Sequence, residues 1–353
     1  MEQAQRERLG LENNSRKDDA GTGGGARLEN VACNLCGSGR HTPVYEMPDR
    51  RFFREEFFTV VECNQCGLGF VNPRPAAAEM QKYYPREYYQ NPPTTSHHHY
   101  LKRRFTAQAA YLEELGHDGG RKKLLDVGCA NGEFPRFMAT RGWNVEGVEV
   151  SESSQRITDF RVYTEEFQNI PLNEPAYDAV TAWAVLEHVH DPMAYFRKAS
   201  RLLKQGGLFV FLVPNFGSVA SRHLFCEDIP RHLYFFTRET VRQYLEKTGF
   251  TLEKEDNGRK IYKLAPNNWL AFMVRTRLLG KKYSFGDVPL TSKEYRRVHH
   301  LQSGIAAALK YAAYSPASVM DRMLWPVIET AQILRKSYGV STYVARRGLT
   351  KKH

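Results

Sequence analysis

Leu124-Leu-Asp-Val-Gly-Cys-Ala-Asn-Gly-Glu-Phe134 reads as a buried strand that runs into a glycine-bearing turn and then into a helix. Gly128 and Gly132 bracket the turn, so the backbone can bend sharply and approach a ligand without Cβ interference. A second strand, Asn144-Val-Glu-Gly-Val-Glu-Val150, ends at Glu149, 23 residues after Asp126. An acidic group there is placed to accept hydrogen bonds from both hydroxyls of a ribose, which predicts a ligand carrying an unphosphorylated ribose.

The turn departs from the dinucleotide pattern. A dinucleotide site wants Gly-x-Gly-x-x-Gly and a helix N-terminus aimed at pyrophosphate. Here the run is Gly-Cys-Ala-Asn-Gly with Asp126 just ahead of it, a carboxylate that repels phosphate and suits a cationic ligand. S-adenosylmethionine carries both an amino group and a sulfonium. The segment resembles the first motif of the class I S-adenosylmethionine-dependent methyltransferases, an acidic residue, two positions and then a glycine-rich turn; Ala130 stands where that family often has a middle glycine. The resemblance implies cofactor contacts at Asp126, Gly128, Cys129, Asn131, Gly132, Glu149 and Val150. It adds Glu166 and Phe167, from the polar run where the family meets adenine, and Trp183 on the fourth strand.

The following elements fit that family. Ser151 to Asp159 reads as a short helix, Arg161-Val-Tyr163 as a third strand, and Tyr177 to Trp183 as a fourth, followed by a loop and a helix start at Pro192. Ala194 to Leu203 has helical spacing, Lys204-Gln-Gly-Gly207 reads as its stop, and Leu208 to Pro214 as a fifth buried strand. A helix over Thr240 to Thr248 and a strand from Phe250 to Lys254 extend the alternation, and Ser341 to Arg346 supplies a final strand. The predicted fold is α/β: a Rossmann-like, doubly wound and mostly parallel sheet, with a small N-terminal zinc ribbon and a helical insert before the last strand.

Cys33-Asn-Leu-Cys36-Gly37 and Cys63-Asn-Gln-Cys66-Gly67 carry the second signal, with 26 residues between the pairs. Each Cys-x-x-Cys-Gly can wrap one turn around a metal, and two such turns make a closed tetrahedral site. Structural zinc is the expected occupant; iron or a pair of disulfides are the other uses of this spacing. The segments Gly67 to Pro75 and Tyr83-Tyr-Pro-Arg-Glu-Tyr-Tyr89 extend the resemblance to a bacterial subgroup of these methyltransferases with an N-terminal zinc-binding module, associated with sugar, surface-glycan or natural-product methylation. The tyrosines are read mainly as packing.

The expected organisation is a disordered tail (1–29), the zinc-ribbon module (30–85), a helical linker (86–118), the cofactor-binding core (119–256), a basic helical insert or lid (257–340), and a final strand and tail (341–353). His97-His-His99 is read as exposed linker, since successive helical residues diverge by about 100° and cannot aim at one metal. From 257 to 353 the chain has 18 Lys and Arg against 4 Asp and Glu, a net of +14 that exceeds the +11 of the whole. The bland reading is a lid whose apolar face packs on the core; the alternatives are peripheral contact with an anionic membrane or a clamp on an anionic substrate. No stretch reaches 18 consecutive apolar residues and no secretory leader is visible, so the expected location is cytoplasmic, at most peripheral to the inner face of the membrane.

A hydroxyl or carbon acceptor benefits from a general base, and His188 and His232 are the candidates. Glu187-His188 also resembles quinone-type and RNA-end enzymes that hold a divalent metal, but the further carboxylate and histidine are not evident, so no catalytic metal is expected. The leading reading is methyl transfer to an oxygen or carbon of a sugar, glycan or related metabolite, nucleotide-linked or lipid-linked. An RNA methyltransferase is the runner-up, weakened because residues 30–85 are not notably basic. A non-catalytic partner subunit is the third, opposed by an intact cofactor motif.

Overall fold

The computed structural model describes residues 27–348 except 53, 55, 86, 87, 89–94, 116–120, 153, 154, 156, 173, 265–267, 290, 291, 293, 294, 297 and 298. The expected disordered tail lies outside the described residues except at its end. There Leu28–Glu29 form β1, paired antiparallel with β5 (Arg74–Pro75), because Arg74 draws Glu29 into an ion pair at 2.8 Å. Between them run β2 (His41–Pro48), β3 (Phe57–Cys63) and β4 (Gly69–Val71), an antiparallel meander with a cysteine knuckle ahead of β2 and another after β3.

The larger sheet has seven strands in the order β12-β13-β10-β9-β6-β7-β8. They are β6 (Lys123–Val127), β7 (Asn144–Val148), β8 (Arg161–Tyr163), β9 (Tyr177–Trp183), β10 (Leu203–Pro214), β12 (Phe250–Asn257) and β13 (Val340–Arg347). The five from β10 to β8 are parallel, whereas β13 runs antiparallel between β10 and β12. This is the doubly wound architecture that the strand and helix alternation predicts. Central strands covered on both faces need apolar residues at successive positions, which Leu124-Leu125 and Phe209 to Val213 supply.

The helices are α1 (Thr95–Ala109), α2 (Glu133–Ala139), α3 (Pro192–Leu202), α4 (Val219–His223), α5 (Arg238–Lys247), α6 (Trp269–Met273), α7 (Ile305–Tyr314) and α8 (Pro316–Leu334). α3 starts because Asp191 accepts the Ala194 N–H at 3.0 Å and Pro192 needs no donor partner in the first turn. Its buried face sets Phe196 against Phe209, Phe211 and Tyr244; burying such a ring contributes about 1.5–3 kcal/mol.

One local reading is corrected and two are refined. Glu152 and Gln155 take 3-10 geometry in the segment read as a short helix. α3 ends at Leu202, ahead of Lys204 to Gly207 as read, but those residues already belong to β10, which begins at Leu203 with an irregular register before Leu208 that Gly206 permits at φ 75°. α1 begins at Thr95, so His97 to His99 belong to its first turns and not to a linker; their side chains lie outside the described residues.

The cysteine-bearing sheet is not independent of the larger one. Its fourth strand, β11 (Tyr234–Phe235), comes from the chain after β10, and the two regions share one hydrophobic core. Asn34, inside the first knuckle, donates to Asp191 at 2.8 Å and accepts from Met193 N and Tyr244 OH at 2.9 and 2.8 Å. Arg231 is fully buried, grips both oxygens of buried Asp49 at 2.7 and 2.8 Å, and also donates to Asp228 and to Tyr83 O.

The insert also departs from expectation. In α8 the buried residues are Asp321, Glu329 and Gln332, while Met320, Met323, Leu324, Val327 and Leu334 are exposed. The lid reading, with the apolar face inward, does not describe this helix as a whole: Ile333 packs on the core and Trp325 and Ile328 are half-buried, but most of the large apolar residues face outward. Its polar face finds inward partners: Asp321 accepts from Leu270 N at 2.9 Å and Glu329 pairs with Arg259 at 2.8 Å. Among the described residues no helix is long and apolar enough to cross a membrane.

Removing one member of a buried charge cluster leaves the other uncompensated. Asp49→Ala should lower stability by about 3–5 kcal/mol, read as a shift in the urea unfolding midpoint. An exposed ion pair such as Arg136 with Asp159 should cost at most about 1 kcal/mol in the same assay.

Candidate active site

β6 ends on a turn whose shape its residues dictate. Gly128 and Gly132 have φ of 72° and 79°, and a Cβ on Gly128 would lie 2.5 Å from Val185 Cγ2. Ala130 also takes a left-handed φ, 50°, and its N–H donates to Glu149 Oε2 at 2.8 Å. Glu149 Oε1 accepts from Ser151 N at 2.8 Å, so two loops orient this half-buried carboxylate, and each oxygen keeps a lone pair for a ribose hydroxyl.

The other predicted cofactor residues divide. Asn131 and Val150 are exposed beside the turn, whereas the Cys129 thiol is buried against Gly147, so its side chain is turned away from the surface. Phe167 is a core residue packed on Tyr195, with ring centroids 5.4 Å apart, and Glu166 accepts from Gln168. Trp183 is buried against Phe134 and Tyr111, yet its Nε1–H has no partner.

Asp126 is 2 % exposed and accepts from Thr181 Oγ1 at 2.6 Å. Burial pushes its pKa up to about 7, opposed by the Thr181 bond and by the charge of Arg104. Arg104 and Gln108, one turn apart on α1, were not singled out from the sequence. Arg104 lies over the Tyr262 ring at 4.5 Å, and Gln108 is wholly buried with both amide atoms unpaired. Unpaired buried polar groups are costly, and these, with Trp183 Nε1, fit a polar ligand held beneath α1 beside the turn. S-adenosylmethionine matches that donor and acceptor set. Asp126 would face its cationic part, Glu149 its ribose, and Arg104 or Gln108 its carboxylate.

A second cluster stands on the loops after β9 and β10. Ala184, with φ 61°, turns the chain at the carboxyl end of β9 and leads into Glu187 and His188. His188 Nδ1 lies 3.0 Å from Arg231 O and 3.1 Å from Tyr84 OH. The carbonyl can only accept, so Nδ1 carries the hydrogen and Nε2 keeps its lone pair. The His232 ring packs edge-on against His188 with centroids 4.7 Å apart, and its Nδ1 donates to Glu227 Oε2 at 2.6 Å.

The fold thus brings together the two histidines chosen as candidates, and their environments split them. Burial, then the neighbouring His232, pulls the His188 pKa down to about 3. Burial also pulls on His232, but the hydrogen bond and charge of Glu227, with Glu187 and Asp228, raise it above the usual value. Burial likewise lifts Glu187 to about 7, and its Oε2 is unpaired.

Ligand atoms of Glu187, His188 and His232 lie within 4.8 Å of one another, so the trio could hold a divalent ion. The sequence reading found no further ligand for Glu187 and His188; the fold supplies His232 from another strand end. Glu227 was missed because it sits five residues before His232, a spacing without a motif. The clustered tyrosines also divide: Tyr83 is buried and donates to Glu56 at 2.6 Å, Tyr84 reaches His188, and Tyr88 lies under Arg51 at 4.2 Å. Tyr89 lies outside the described residues.

The four cysteine sulfurs also converge. Cys33 to Cys66 is 3.4 Å and Cys36 to Cys63 is 3.5 Å, with Gly37 and Gly67 each at φ 76° and donating back to the first cysteine of their knuckle. Tetrahedral zinc–sulfur bonds of about 2.3 Å put sulfurs about 3.8 Å apart, so this set fits zinc and leaves no open coordination position.

An α/β sheet with an acidic, glycine-bearing turn after its first core strand and polar groups on the loops beyond defines a nucleotide-cofactor enzyme. A family profile described as a methyltransferase domain matches residues 97–255. The ubiquinone biosynthesis O-methyltransferase of Acinetobacter baumannii is 32% identical over 183 residues, covering 44% of this chain and 76% of that one. That of Acinetobacter baylyi is 35% identical over 190 residues, covering 45% and 79%. Among solved structures, geranyl diphosphate C-methyltransferase of Streptomyces coelicolor aligns with a TM-score of 0.42 at 17% identity, over 74% of this chain and 88% of that one. The chain belongs to the class I S-adenosylmethionine-dependent methyltransferases.

Two outcomes follow from the geometry. Because folding raises the Asp126 pKa, this group lowers the stability of the ligand-free protein progressively as pH rises from about 4 to about 7, and a cationic ligand offsets the loss. S-adenosylmethionine should therefore bind more weakly as pH falls below about 7, by at most tenfold per unit, with proton release visible in calorimetry and abolished in Asp126→Asn. Purified protein should carry one zinc per chain by elemental analysis, and Cys63→Ser should lose both the metal and several degrees of melting temperature.

Proposed function

We propose that this enzyme transfers a methyl group to an oxygen or carbon of a sugar, glycan or related small metabolite, including lipid-linked forms. The observation that carries the reading is the oriented pair His188 and His232, backed by Glu227, on the loops after β9 and β10. In sheets of this kind those loops are where ligands meet catalytic groups. The names of the Acinetobacter relatives support an oxygen acceptor.

S-adenosylmethionine, when bound, supplies an electrophilic methyl group. His232 Nε2 accepts the acceptor's proton, and the positive charge formed is offset by Glu227 behind the ring and by Glu187 beside it. His188 stays neutral, because burial and His232 oppose its charging, and its Nδ1–H on Arg231 O fixes the ring. The cysteine-bearing segment helps hold both loops: Tyr84 reaches His188, and Asp49 anchors the residue before His232. We read zinc there as structural.

A second reading of the same groups is a divalent ion held by Glu187, His188 and His232, favoured by the unpaired Glu187 Oε2. Calorimetry and transfer of isotopically labelled methyl groups to a metabolite extract test both. Glu149→Ala should lose cofactor binding. His232→Gln should keep it but slow transfer by about 100-fold or more. Cofactor binding without transfer to any acceptor would overturn the catalytic reading. Loss of transfer on mild chelation, with restoration by magnesium or manganese, would assign the trio to a metal.

A further inference from the structure

Soluble helices turn their apolar stripe to the core and their polar face to water. α8 has a mixed inner face, with Ile333 packed on the core, and turns most of its large apolar residues outward. Met320, Met323, Leu324, Val327 and Leu334 recur about every three to four residues and form one exposed stripe, whereas Asp321, Glu329 and Gln332 lie on the opposite, buried face. Met323 is 75% and Val327 69% exposed. This outward placement extends beyond one helix. Ile305 and Leu309, one turn apart on α7, are also exposed, as are Leu278 and Leu279 at the end of the π-helical turn Val274–Leu278. Of the thirteen large apolar side chains exposed among the described residues, eleven lie between Met273 and Leu334. Scattered exposed apolar residues need no explanation, but this concentration in successive packed elements does.

The charge around these residues indicates what covers them. Arg277, Lys281, Lys282, Lys310, Arg322 and Lys336 are exposed within the same segment. The described acidic residues of the segment do little to neutralise them: Asp321 and Glu329 are buried on the inner face of α8, and Asp287 pairs with Arg275 at 2.9 Å. From residue 257 onward the chain carries the net of +14 counted above. A second copy of this chain would bring one strongly positive surface against another, which like-charge repulsion opposes. A small apolar ligand would need a concave wall, and side chains this exposed do not form one. An apolar stripe bordered by Lys and Arg is complementary to a bilayer, whose acyl region takes the apolar side chains while anionic headgroups take the cations.

We infer that the insert is a membrane-docking surface: α8, with α7 and the turn ending at Leu279, lies in the interface of an anionic phospholipid bilayer. Docking without spanning agrees with the described helices, none of which is long and apolar enough to cross. The inference stands apart from the methyl-transfer reading, since none of these residues belongs to the cofactor turn or to the histidine cluster. It also deepens that reading by bringing the enzyme to a surface where a lipid-linked acceptor resides.

The test is flotation of the full chain with vesicles of phosphatidylcholine alone or mixed with phosphatidylglycerol. Binding should be at least tenfold stronger to the anionic vesicles, weaken with salt, and fall at least tenfold in the double variant Met323→Glu, Val327→Glu. S-adenosylmethionine affinity, measured on the same variant, should be unchanged and serves as the control for folding. Absence of vesicle binding, or equal binding by the double variant, would overturn the proposal. A wild-type dimer that becomes monomeric in the variant, without vesicle binding, would also overturn it and assign the face to self-association.

Discussion

Arg231 is the constraint on which the candidate site depends. A guanidinium with no solvent exposure is tolerable only if its donors are matched, and here Asp49, Asp228 and the Tyr83 carbonyl take them. These partners come from two regions far apart in sequence, so the cysteine-bearing sheet and the loop after β10 cannot separate without exposing or stranding a charge. The same residue's carbonyl accepts from His188, and its chain neighbour is His232. One buried cation thereby ties the cysteine-bearing sheet to both histidines of the cluster.

The cofactor side follows the same logic with the sign reversed. Asp126 and Glu187 are buried carboxyl groups whose nearby cations, Arg104 and His232, only partly offset burial, which raises both to about 7. A fold keeps such groups when a ligand or a reaction compensates them. The unpaired atoms of Gln108 and Trp183 belong to the same pattern. At the insert, by contrast, the large apolar side chains are left outside, which makes a surface incomplete in water.

Much of the architecture was legible because it rests on local rules. Gly128 and Gly132 mark a turn that needs left-handed backbone, Glu149 closes the next strand, and Asp191-Pro192 opens a helix; each signal lies within a few residues of its consequence. The paired cysteines were legible for the same reason, since each knuckle is a local turn. The reading failed where neighbours override local preference. His97 to His99 lie within α1, Lys204 to Gly207 belong to β10, and α8 turns most of its large apolar residues outward.

The sequence by itself determined the class of fold, the glycine turn after β6 and the two cysteine knuckles, because periodicity, glycine placement and short spacings encode them directly. Only the tertiary structure decided that β11 completes the cysteine-bearing sheet, that Glu227 stands behind His232, and that Tyr84 reaches His188. It alone also showed which face of the insert is buried. The strand pairing and the Tyr84 contact join residues more than a hundred positions apart, Glu227 and His232 meet across a five-residue spacing that carries no motif, and the buried face of a helix depends on what packs against it. No spacing along the chain encodes a distance in space once the backbone has turned back on itself.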